Sequence, residues 1–118
     1  MPSAAALIMM HVVAALHLGF MVLETFLWTH PIGRRVFGMR ADEAQATQVL
    51  AANQGIYNGA LAGLLVWAAW SGSVGAMLAG LAFVVVVGVY GAATVSRLIF
   101  VVQALPALVA MGLLMSSS

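Results

Sequence analysis

Four apolar stretches, residues 4–28, 44–70, 74–94 and 98–115, make up most of the chain. Each is close to the roughly 20 residues a helix needs to cross the hydrocarbon core of a bilayer. Lipid offers no water to backbone N–H and C=O groups, so each stretch must satisfy its own, as a helix does. The run Val84 to Val87 favours a strand by propensity, but an open sheet edge cannot lie in lipid, and a helix is expected there too. Composition agrees: 64% of residues are hydrophobic and 6% charged, against about 25% charged in ordinary soluble domains. Four basic and three acidic side chains cannot cover a soluble domain of 118 residues. The expected fold is all-α: a transmembrane four-helix bundle forming one domain over residues 1–118.

The few charges give an orientation. Arg34, Arg35 and Arg40 fall in loop one, residues 29–43, and Arg97 in loop three, residues 95–97. In a four-span chain these loops share a side. The positive-inside rule puts both in the cytoplasm and both termini on the outer side, and Trp28 and Trp70 sit at span ends where aromatic belts form. No Lys or Arg precedes the first apolar run, which continues to Trp28; it reads as a retained span, not a cleaved signal. Four arginines without a lysine make no basic patch, so nucleic acid is not an expected partner. The absence of cysteine excludes disulfides and thiolate chemistry.

Small residues mark the packing surfaces. Gly55, Gly59 and Gly63 repeat every four residues, and Gly88, Ala92 and Ser96 do the same in span three. Such ridges let backbones approach closely, within one bundle or between copies in a homo-oligomer. Pro106 is expected to kink span four.

Against this apolar background the polar residues stand out. Span one holds His11, His17 and Glu24; span two Asn53, Gln54, Tyr57 and Asn58; span three Tyr90 and Thr94; span four Gln103. Glu24 is the single acid inside any span. An acid at a helix centre costs about 2.5–3.5 kcal/mol on insertion scales, less near the boundary. On a straight helix His17 and Glu24, seven apart, share a face that Trp28 continues. Asn53, Gln54, Tyr57 and Asn58 cover an arc of roughly 140° that leaves out the Gly55-Gly59-Gly63 ridge. By depth, Glu24, Asn53, Gln54, Tyr90 and Gln103 fall in the cytoplasmic half of their spans, with His17, Tyr57 and Asn58 nearer the midplane. The simpler reading has each of these as interhelical glue at about 0.6 kcal/mol apiece; their convergence on one layer favours a site. His11 points away from the His17 stripe and reads as a structural hydrogen-bonding group.

Four segments resemble one known family: His17-x6-Glu24-x3-Trp28, the block Ala51-Ala52-Asn53-Gln54-Gly55-Ile56-Tyr57-Asn58-Gly59, the stretch Val89-Tyr90-Gly91-Ala92-Ala93-Thr94-Val95, and Val102-Gln103-Ala104-Leu105-Pro106-Ala107. They look like the small four-helix membrane proteins classed as domain-of-unknown-function family 1304, and Gly33-Arg34-Arg35-Val36-Phe37-Gly38 fits as well. The resemblance implies a bacterial inner-membrane protein and supplies no activity. In that family's pattern an acid precedes the histidine and a tyrosine follows two residues later; Leu16 and Gly19 stand there here.

The expected function is a polar pocket that binds a lipophilic small molecule and converts it by acid–base isomerisation, cyclisation or hydration. His17 and Glu24 are the candidate catalytic groups; Trp28, Asn53, Gln54, Tyr57, Asn58, Tyr90 and Gln103 are the candidate ligand contacts. The alternative is a small proton-coupled transporter working as a homodimer, disfavoured by the nearly apolar outer halves of all four spans. No metal or cofactor is expected. His17 and Glu24 are too far apart along one helix to chelate together; His17 is the candidate should a haem need an axial ligand. Membrane lipid is the remaining partner.

Overall fold

The computed structural model describes residues 2–116. In chain order it runs α1 (Ala4–Met21), a first π-turn (Val22–Phe26), α2 (Pro31–Phe37), α3 (Ala41–Ser71), α4 (Val74–Thr94), a second π-turn (Phe100–Ala104) and α5 (Leu105–Ser116). No strand occurs among the described residues. The β-prone valines of residues 84–87 lie inside α4, because the environment decides where propensity is weak.

Three helices are long and apolar enough to cross a membrane: Ala4–Phe26, Ala41–Ser71 and Val74–Thr94. The fourth stretch, Phe100–Ser116, is a shorter apolar helix. Large apolar side chains such as Leu64, Trp67, Phe83 and Val86 are exposed along these helices, as expected of a surface solvated by lipid. The 31 residues of α3 measure about 46 Å at 1.5 Å per residue, well over the ~30 Å hydrocarbon core. Its polar N-terminal end, with Asp42, Glu43, Gln45, Thr47 and Gln48, supplies the surplus.

Each long helix buries one narrow stripe with three- and four-residue spacing. On α1 it is Ala6, Met10, Val13 and His17; on α4, Met77, Leu81, Val84 and Gly88. On α3 it is Ala44, Ala51, Gly55, Asn58, Ala62, Leu65 and Ala69. This is the spacing of helices that pack by fitting side chains between those of a neighbour, and the small residues in it permit close contact.

The chain divides into two compact units, residues 17–61 and residues 2–16 with 62–116. In the larger unit, α4 packs on the second π-turn and α5. A Cβ on Gly88 would come 2.9 Å from the Ala104 nitrogen, so these backbones approach as a small-residue stripe allows. Leu105 N–H reaches back five residues to Phe100 O, and Pro106 follows directly. A proline has no N–H to return to Val102, and its ring presses on that carbonyl; widening the turn relieves both. The kink expected of Pro106 therefore takes the form of a π-turn. Between α3 and α4, Gly72 adopts φ +76° and Ser73 caps α4 by accepting from Ala76 N–H at 3.1 Å, the usual role of a serine at a helix start.

In the smaller unit, loop one, which the sequence leads one to expect as a plain connection between spans, is mostly helical. His30 caps α2 through Nδ1, which accepts from Ile32 N–H at 3.2 Å. Pro31 takes the first helical position, and Gly38 ends the helix at φ +64°. Proline at the start and glycine past the end is the ordinary asymmetry of helix termini.

Candidate functional site

The centre of the smaller unit is the contact between the end of the first span and α3. From Val22 the helix widens, and Leu27 N–H bonds Val22 O at 3.1 Å. No proline stands in this turn or in the four residues after it; what meets it is α3. Thr25 Oγ1 donates to Ala52 O at 3.1 Å. Asn58 Nδ2 donates to Glu24 Oε1 at 2.5 Å. A Cβ on Gly55 would collide with Thr25 Oγ1 and lie 3.0 Å from the Thr25 nitrogen and 3.1 Å from Glu24 Cβ. A Cβ on Gly59 would collide with the Met21 sulfur. Two glycines thus let the widened turn rest on the α3 backbone. A short polar patch forms there: one half-buried carboxylate, one buried amide and one hydroxyl.

Of the residues expected to build a site, Glu24 and Asn58 are brought together. His17 is fully buried on the same helix as Glu24, with its ring edge-on to Phe20 at 5.1 Å between centroids. The widened turn begins at Val22, so the straight-helix alignment of His17 with Glu24 is not kept. Trp28 lies past the turn, beside Phe37 at 4.8 Å, and its indole N–H donates to Thr47 Oγ1 at 3.0 Å. Asn53, Gln54 and Tyr57 are exposed, off the buried stripe of α3; Asn53 Nδ2 donates to its own helix at Val49 O, 3.0 Å away. The expected polar arc therefore splits: Asn58 belongs to the packing stripe and the other three do not. Tyr90, exposed, and Gln103, half-buried within the second π-turn, belong to the larger unit.

Of the three glycines expected to form a packing ridge, within one bundle or between copies, Gly55 and Gly59 are covered by the chain itself, and Gly63 has nothing within 4 Å. Thr25 and Thr47 were not singled out by sequence, though a hydroxyl directly after the one intramembrane acid is a usable signal. Among the described residues no three His, Asp or Glu side chains gather into a set able to hold a metal ion.

His11 has a structural role in the larger unit. Trp70 Nε1 lies 3.0 Å from His11 Nε2, and His11 Nδ1 lies 2.7 Å from Leu7 O. An indole N–H only donates, so Nε2 accepts and the proton sits on Nδ1, which donates to the carbonyl.

Comparison with known proteins gives one match. The model of the family described as "Protein of unknown function (DUF1304)" matches residues 11–115. No curated protein and no solved structure matches the chain.

Proposed function

We propose that this chain, which belongs to the family described as "Protein of unknown function (DUF1304)", binds a lipophilic small molecule whose polar end is held at Glu24. The observation that carries the reading is the Glu24–Asn58 contact on packed faces of two apolar helices, at a widened turn that contains no proline and no glycine. A carboxylate inside a membrane span is costly and, where it occurs, marks a binding or proton-moving site more often than a structural one. One amide fills one of the carboxylate's several acceptor positions, and the others suit a hydroxyl, an amine or a cation. If the molecule is converted, Glu24 and His17 are the groups that move protons, in an isomerisation, cyclisation or hydration. The protein resides in the cytoplasmic membrane of a bacterium, with the arginine-bearing loops inside and both termini outside.

The test compares wild type with Glu24→Gln, both purified in mild detergent, extracted, and profiled by mass spectrometry. A distinct lipophilic species should accompany the wild type and fall about ten-fold or more in the variant, the loss expected when a hydrogen bond to a charged group goes. The reading fails if both proteins release the same bulk phospholipid and nothing else.

A further inference from the structure

Loop one disposes of its charges unevenly. Arg40 Nε lies 3.1 Å from Asp42 Oδ1 and 3.6 Å from Glu43 Oε1, and the Arg40 N–H donates to Glu43 Oε1 at 3.0 Å. Both acids of the loop are thereby occupied by one arginine. The other two basic residues, Arg34 and Arg35, sit on α2, and neither makes an ion pair among the described residues. Arg34 Nε donates to Thr29 O at 3.2 Å, which fixes the side chain and leaves both terminal guanidinium nitrogens for another partner. Arg35 is exposed.

The placement of α2 is equally specific. Residues 27–30 join it to the first span and residues 38–40 join it to α3, so it cannot stray from the membrane boundary. A Cβ on Gly33 would collide with Leu27 O; this face is pressed onto the turn that ends the first span. Around the helix from Gly33, one side carries the exposed Ile32 and Val36, and Phe37 lies against Trp28. The other side carries Arg34 and Arg35. At about 100° per residue, the apolar and basic sides occupy separate arcs. An apolar edge beside a Trp at a span end, with two uncompensated guanidiniums next to it, is the pattern of a segment lying in the headgroup layer.

We infer that α2 is a binding site for an anionic phospholipid of the surrounding bilayer, with Arg34 and Arg35 on the headgroup phosphate and Ile32 and Val36 against the acyl chains. Guanidinium recognises phosphate with paired, charge-assisted hydrogen bonds, and a lipid supplies both the anion and the apolar body that this helix faces. The site lies outside the Glu24–Asn58 contact and does not depend on it.

The test uses the full chain in detergent, with phosphatidylglycerol or phosphatidylcholine added in equal amounts, and native mass spectrometry to count retained lipid. Wild type should retain phosphatidylglycerol about 25-fold over phosphatidylcholine, about five-fold for each arginine. Arg35→Gln, at a side chain that makes no hydrogen bond or ion pair among the described residues, should cut this preference about five-fold, and Arg34→Gln/Arg35→Gln should abolish it. Arg97→Gln, an equal change of charge on an exposed residue elsewhere, should leave it intact. The inference is overturned if wild type shows no preference, if Arg35→Gln retains the full preference, or if Arg97→Gln loses as much as Arg35→Gln. It is also overturned if millimolar inorganic phosphate displaces the lipid, since the site would then be one for free anions.

Discussion

The two π-turns differ in what produces them. The second, Phe100–Ala104, stands directly before Pro106, and the missing N–H of that proline is cause enough. The first, Val22–Phe26, has no proline and no glycine in it. It coincides with the one acid in any span, with a threonine bonded to α3 across 27 positions of sequence, and with a glycine of α3 that leaves room for it. A distortion explained by its own residues says little about function. One held by polar contacts to another helix is a place where the fold has kept costly groups together, which is where widened turns commonly mark sites.

The contrast can be broken most forcefully at Gly55. Replacing it with Leu should drive the first turn off α3 and cost about 3 kcal/mol, the upper range for overpacking. Gly63→Ala, with nothing within 4 Å, should instead be neutral or gain up to ~1 kcal/mol from helix propensity. Thermal unfolding in detergent measures both, and equal effects would mean that α3 does not support the turn. Next in size is Asn58→Leu, which leaves the Glu24 carboxylate without its amide; the expected loss is about 1.5–3 kcal/mol by the same assay. Pro106→Ala acts on the other turn. It should restore regular helical bonding around Val102 and stabilise by about 1 kcal/mol, less than the ~3 kcal/mol an unaccommodated helix-interior proline costs. Amide hydrogen exchange should show new protection near residues 104–106 and none near residue 24. Thr25→Val removes a single bond to Ala52 O and should cost about 1 kcal/mol, with faster exchange confined to residues 22–27.

Much of the helical frame could be read from the sequence because apolar runs of this length leave few options. The end of α3 and the start of α4 fall where Ser71-Gly72-Ser73 interrupts the run, since glycine takes the positive φ and serine caps the next helix. The helix α2 was legible in principle from Pro31 and Gly38 but hidden by its charges, which suggested a plain loop. The first π-turn was not legible, because nothing local encodes it; it depends on Asn58 and Ala52, more than 25 positions away. Asn58 itself was misplaced. Grouping it with Gln54 drew one polar face, whereas the three- and four-residue spacing from Ala44 through Gly55 to Leu65 puts it on the packing stripe. His17 and Glu24 were aligned on a straight helix, and the turn that starts at Val22 intervenes.

The chain has only two glutamates, Glu24 and Glu43, so glutamate labelled with 13C at the side-chain carboxyl gives two resonances, one from the apolar contact and one from the exposed start of α3. Recording both in wild type and in Asn58→Leu, before and after adding back the lipophilic extract of the native membrane, tests the central claim directly. The expected result is that the Glu24 resonance moves on substitution, moves again in wild type when the extract is added, and that Glu43 stays fixed throughout. If Glu24 is unmoved by both, or if the two resonances shift together, the carboxylate is neither held by Asn58 nor a place where a ligand binds.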